Sequence, residues 1–236
     1  MRVSAGTTER NTMDRQISMT GQQSAMPAIS RRAFNALTFG ILTVAFLITW
    51  GEYLLAESGK LPFLSGGNNV GYIVTVILTF VGLGVMSSGK SKQSVGMSAS
   101  GFLIFTLTFG ATLALTLQTY TPATITYAFA VTACISGIFL VLGVLFPEFF
   151  SRIGGVLVGS LIALIIAEII CTLFFHMNQT NFDYITIFLF CGFLGYDSYC
   201  MTNDEPTLPN AIFYAADIFI DIINILLRVL RIMSRD

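Results

Sequence analysis

Apolar residues along this chain come in long unbroken runs separated by short polar stretches. Seven runs can be delimited: Phe34–Leu55, Val70–Met86, Ser98–Leu117, Ala123–Phe146, Ile153–Phe175, Tyr184–Met201 and Ala211–Met233. Several are near the ~20 residues a helix needs to cross the hydrocarbon core of a bilayer. The runs are continuous and do not alternate with period two, which argues against strands. The links carry turn chemistry, with Gly66, Gly67, Asn68 and Asn69 after the first run and Ser87, Ser88 and Gly89 after the second. Pro122 and Pro147 flank the fourth, and prolines punctuate helices in this way. The pattern predicts an all-α, polytopic membrane protein. Residues 1–30 lack it, being polar and rich in Ser, Thr and Gln. No short apolar core follows their basic start, so they read as a disordered cytoplasmic tail and not as a cleavable signal peptide. Residues 31–236 are then the seven-helix transmembrane domain.

Composition sharpens this. Of 236 residues, 54% are hydrophobic and only 11% charged, and the mean hydropathy is +0.77. A soluble domain carries roughly 25% charged residues, so a soluble single-domain enzyme is excluded. The net charge of −1 provides no cationic stripe for phosphate, which excludes a nucleic-acid binder. Cys134, Cys171, Cys191 and Cys200 all fall in apolar runs without a C-x-x-C pair and read as small buried hydrophobes. Counting Lys and Arg near the runs puts Arg2, Arg10, Arg15, Arg31, Arg32, Lys90, Lys92 and Arg152 on one side and only Lys60 on the other. That asymmetry predicts a cytoplasmic amino terminus. Arg228, Arg231 and Arg235 disturb it, because seven crossings would place them outside. Either the last helix spans despite its basic end, or it is re-entrant and returns inside. Short loops and the lack of organelle signals favour a bacterial plasma membrane. Asn178, Gln179 and Thr180 form a glycosylation sequon on the expected outer side, a chance match in a bacterial protein.

Two patterns bear on packing. Gly155, Gly159, Ala163 and Ala167 recur every four residues along the fifth run, a stripe that lets a neighbouring helix approach closely. Trp50 and Tyr53 lie near the outer end of the first run, where interfacial aromatics belong.

Ionisable groups inside a membrane cost at least a few kcal/mol at a helix centre, so each needs an explanation. The intramembrane acids are Glu168, Asp197, Asp217 and Asp221, with Glu52 near the outer end of the first run. At 100° per residue, Asp217, Asp221, Asn224, Arg228 and Arg231 fall within about an 80° arc. Asn210 and Tyr214 extend that face. Such a stripe faces protein or water and not lipid, placing the last helix inside the bundle. Asp–Arg pairs gluing helices together would explain it as structure. Asp197 closes the sixth run only a short hinge before the seventh, so a helical hairpin can bring it beside Asp217 or Asp221. Two carboxylates in one low-dielectric site cannot both ionise cheaply, which makes the pair pH-dependent. Ionised, they offer hard oxygen ligands suited to Ca2+; sharing a proton, they need no metal.

Tyr196, Asp197 and Ser198, followed by the helix bearing Asp217, Asp221, Asn224 and Arg228, resemble the closing motifs of the Bax inhibitor-1 family, a "YDT"-type sequence and an "LDxxN" helix. Tyr127 to Ala133 resembles its "AFxxTA" stretch. The seven-segment layout matches over roughly residues 30–233. The resemblance implies a seven-helix bundle with the last helix central, and a pH-sensitive Ca2+ leak in which Asp197 and Asp221 are the paired aspartates of a cytoplasmic-side gate. Asp217, Asn224, Arg228 and Tyr196 are the supporting residues, and no cofactor is expected. The sequence departs at Ser198 and at Ile225-Leu226, where the family has Thr and "LF". No basic residue lies between Lys60 and Lys90, so a cationic latch from the second helix is expected to be missing.

Two other functions compete. An intramembrane aspartyl protease also places two aspartates on consecutive spans, but Asp221 follows Ile218, Phe219 and Ile220 instead of Gly-x-Gly, and the later Pro-Ala-Leu motif is absent. A non-transporting regulator would bind another membrane protein, such as a quality-control protease or a death-pathway partner. His176 is the single histidine, read here in an outer loop beside Asn178 and Asp183. One imidazole makes neither a zinc site nor a triad.

Overall fold

The computed structural model describes residues 28–60, 69–174 and 180–235. Residues 1–27 of the expected tail, the Gly66–Asn68 turn, His176 and the first two sequon positions lie outside them. The described residues form seven helices: α1 Arg31–Glu57, α2 Asn69–Ser91, α3 Val95–Leu117, α4 Pro122–Leu145, α5 Pro147–Phe174, α6 Thr180–Asn203 and α7 Leu208–Met233. No strand occurs among them. The first six are long and apolar enough to cross a membrane.

Local chemistry sets the boundaries. The hydroxyls of Ser30, Ser94 and Thr121 accept from the backbone N–H groups of Ala33, Met97 and Thr124 and cap α1, α3 and α4. Side-chain oxygens are favoured there because the first N–H groups of a helix have no partner of their own. Pro122 and Pro147 open α4 and α5, where the missing N–H is harmless. Residues 29 and 30 belong to the folded domain, since Ile29 N–H donates to the Pro206 carbonyl at 2.9 Å.

α7 is the central helix. It touches α1, α2, α3, α4 and α6, and sixteen of its 26 residues are buried. On its apolar side Phe219 meets the rings of Phe46, Phe109 and Phe105 at 5.0, 6.1 and 6.2 Å. α6 and α7 form an antiparallel hairpin. The arginines at the end of α7 reach Asp183 in the first turn of α6, so α7 runs the length of the bundle, about 39 Å at 1.5 Å per residue. α7 is one continuous helix, and the start of α1 and the end of α7 lie at opposite ends of the bundle.

Close helix approaches use glycines other than the expected ones. A Cβ at Gly101 of α3 would collide with backbone of Met86 and Gly82 on α2, and one at Gly195 of α6 with the Phe150 ring of α5. Gly143 of α4 lies against the Gly195 backbone, and beside it Ser198 Oγ donates to the Leu140 carbonyl at 2.7 Å. The Gly155–Ala167 stripe is a correction. Among the described residues nothing lies within 4 Å of a Cβ added at Gly155 or Gly159, because α5 turns its Leu157 and Leu164 side toward Leu189 of α6 instead. The cysteines also need correcting: Cys191 is buried, Cys171 and Cys200 are half-buried, Cys134 is exposed, and none is in a disulfide.

Candidate functional site

The α6–α7 hairpin gathers three carboxyls near the middle of α7. Asp197 of α6 and Asp221 of α7 meet closely enough to share a hydrogen bond. Asp217, one turn before Asp221, stands within electrostatic reach of both. Asp221 is only 5% exposed, and no N–H or O–H of a neighbouring residue reaches its Oδ2. None of the three forms an ion pair with a described Lys or Arg. Among the described residues, no group of three or more His, Cys, Asp or Glu is arranged to hold a metal ion. A cation here would therefore rest on the carboxyl pair, with water and carbonyls completing its shell.

On the α6–α7 connection side, Lys90 anchors a second cluster. Its Nζ lies 3.2 Å from Asp204 Oδ2 and donates to Tyr214 Oη at 3.1 Å. The Tyr214 hydroxyl donates to the same Asp204 oxygen at 2.8 Å. The ammonium also sits over the rings of Tyr214 and Phe213, 4.2 and 4.3 Å from their centres, where the ring face attracts a cation. Partial burial pushes the Asp204 carboxyl up, but donation from Tyr214, the Glu205 N–H and Lys90 outweighs it and holds the group below its ordinary value. Next to this cluster Gln93, whose φ is +49°, donates to Asn210 Oδ1 at 3.1 Å. Lys90 lies in the last turn of α2, and its charge bears on Asp197 and Asp217. The second helix thus does supply a cation, contrary to expectation, because α2 continues past Met86 through a polar last turn.

At the opposite end of α7 is an arginine clamp. Asp183, whose side chain is fully buried, lies 3.0 Å from Arg228, 3.0 Å from Arg231 and 3.2 Å from Arg235. Arg228 also pairs with Glu168 of α5 at 2.9 Å. Three guanidiniums surround this buried carboxylate, where a lone one would be too costly.

The structure therefore brings Asp197, Asp217 and Asp221 together and leaves the other supporting residues outside that group. Asn224 donates to the Ile220 carbonyl of its own helix at 2.9 Å. Arg228 belongs to the clamp, and the Tyr196 ring packs over Gly154 of α5. Glu168, left without a role by the sequence, is the partner of Arg228. Asp183 is helical and not in a loop. Glu52 is buried beside Thr49 against Gly110 of α3, with no donor reaching its Oε2. Sequence reasoning missed Lys90, Asp204 and Asp183 as partners. The signal for Asp183 was present, since three arginines on one helix end demand an acid nearby.

A helical bundle with a buried carboxyl group on its central helix defines a polytopic membrane protein built around an intramembrane acid site. Residues 26–236 match the family profile described as "Inhibitor of apoptosis-promoting Bax1". The chain belongs to this Bax inhibitor-1 family. It is 27% identical to inner membrane protein YbhL of Escherichia coli K12, over 88% of this chain and 94% of that one. An uncharacterized protein of Borreliella burgdorferi is 24% identical, over 90% and 96% of the two chains. One from Deinococcus radiodurans is 27% identical, over 94% and 97%.

Proposed function

We propose that this protein is a pH-sensitive leak pathway for Ca2+ across a bacterial inner membrane, gated by Asp197 and Asp221, with the amino terminus in the cytoplasm. The carrying observation is the contact between these two carboxyls across the α6–α7 hairpin, with an oxygen of Asp221 that no N–H or O–H of a described residue reaches. Protonated, the pair ties α6 to α7 and presents one negative charge to a cation instead of two. On losing the proton, two negative carboxylates repel each other and offer oxygens to a divalent ion. Lys90 tethers α2 to the α6–α7 connection at the near end of this path, and the arginine clamp fixes the far end of α7. In this reading the protein is not an enzyme and carries no resident cofactor. Inner-membrane location is supported by YbhL, and orientation by the Lys and Arg asymmetry. The test is Ca2+ uptake into liposomes holding the purified protein, from about pH 6 to pH 8, for wild type and Asp197→Asn. The reading requires flux that changes with pH in the wild type and loses that dependence in the variant.

A second reading, a regulator that binds another membrane protein, draws on α5, where a Cβ added at Gly155 or Gly159 would meet no described neighbour within 4 Å. Wild-type protein that is folded yet passes no Ca2+ at any pH favours it.

A further inference from the structure

α5 packs on α6 and, weakly, on α4. Its link to α7 is the Arg228–Glu168 pair at the far end. Seven residues earlier on both helices, at Leu161 and Asp221, the space between them is a cavity of about 260 Å³ open on the flank of the bundle. Its walls are Leu161, Phe190, Phe193 and Ile220, and its polar lining consists of Asp197, Asp217 and Asp221. Asp197 and Asp217 are half-buried, and the buried Oδ2 of Asp221 lacks a protein donor. The acids are thus reached from the side of the bundle, through apolar and aromatic walls.

The walls on this flank are apolar and aromatic. They suit a cation that carries its own apolar surface. An alkyl or benzyl group can lie against Leu161 and Ile220, while an ammonium head finds carboxylate oxygens beside the aromatic walls Phe190 and Phe193. The volume is below the roughly 300–1,000 Å³ of sites for drug-sized ligands, so the ligand is small. We propose that the cavity between α5, α6 and α7 binds small hydrophobic organic ammonium ions, which reach the acids from the bilayer side and obstruct them. This rests on the reading of those acids as the cation site of the leak.

The experiment uses the full chain in dodecyl maltoside, which holds no amine lipid, titrated with benzyltrimethylammonium by calorimetry. Tetramethylammonium serves as the probe without apolar surface. Ca2+ flux is read separately in liposomes made from the same preparation, with and without benzyltrimethylammonium. Benzyltrimethylammonium is expected to bind wild type, at least tenfold more tightly than tetramethylammonium, and to slow the leak. Binding should weaken at least tenfold in Leu161→Trp, which fills the cavity from α5, and in Asp217→Asn, each checked for an unchanged gel-filtration profile. If Leu161→Trp fails that check, Ile220→Trp replaces it. Protein that leaks Ca2+ but binds no benzyltrimethylammonium overturns this inference and leaves the leak reading standing. Binding that survives in the cavity-filling variant overturns the flank site. Binding with both variant effects, in protein that passes no Ca2+, supports the site and overturns the leak.

Discussion

Arg228 and Asp221 share one face of α7 two turns apart, yet Arg228 does not turn back to Asp221. Its guanidinium lies 2.9 Å from Glu168 and 3.0 Å from Asp183. The stripe along α7 is therefore divided, with unneutralised acids toward its middle and a compensated arginine cluster at its end. Had Arg228 paired with Asp221, the acid group would be a structural ion pair. Instead its charge is left to be set by protons or by a visiting cation.

The arginine clamp dominates the stability of the far end. Asp183→Asn leaves three guanidiniums around a neutral amide, and removing one partner of a buried charge cluster costs roughly 3–5 kcal/mol. Glu168→Gln removes an acid from Arg228 alone, which keeps Asp183, so the loss is smaller. Thermal unfolding in detergent should rank the variants in that order, and equal midpoints would contradict it.

The Lys90–Asp204–Tyr214 cluster gives the near end a dependence on pH. The folded protein holds the Asp204 carboxyl below the ~3.9 of an unperturbed Asp. Its contribution is thus complete above that unfolded value and is lost as pH falls through the lower folded one. Asp204→Asn should flatten the acid limb of the pH–stability profile and leave the profile above about pH 5 parallel to wild type. An unchanged acid limb would show that the cluster adds nothing.

Glycine positions divide into two groups by what surrounds them. Gly101→Leu drives a side chain into α2 backbone and Gly195→Leu drives one into Phe150, overpacking that costs about 1–3 kcal/mol or more. Gly155→Leu and Gly159→Leu enter open space and should leave the unfolding midpoint unchanged or raise it, since Gly is a poor helix former. A loss at Gly155 as large as at Gly101 would contradict the packing of α5.

Because α7 runs the full length of the bundle, reporters fused to the two termini should read opposite sides of the membrane. Activity of both on the same side would contradict the antiparallel α6–α7 hairpin.

Much of this architecture was legible in the sequence. Six helices announce themselves through unbroken apolar runs, and the stripe from Asp217 to Arg231 places α7 in the interior although its charges interrupt the run. The acid pair was legible because a short hinge forces Asp197 back toward α7. Long-range pairing was not. The last turn of α2 is Ser87, Ser88, Gly89, Lys90 and Ser91, which by composition reads as a loop, and its helical state depends on contact with α3 and the α6–α7 connection. Asp183 looked like a loop residue because it sits among polar neighbours, and its burial comes from arginines about 45 residues or more away in sequence. The Gly155 stripe shows that periodicity identifies a face without saying what covers it.

The central claim is that Asp197 and Asp221 act as one unit, and a double-variant cycle in Ca2+ flux tests it most directly. Asp197→Asn, Asp221→Asn and the double variant would be reconstituted in liposomes and assayed from about pH 6 to pH 8. Residues in direct contact couple, whereas independent sites add. Each single variant should abolish the pH dependence, and the double variant should change the flux no further than either single one. Additive effects, or pH dependence that survives in either single variant, would contradict the account.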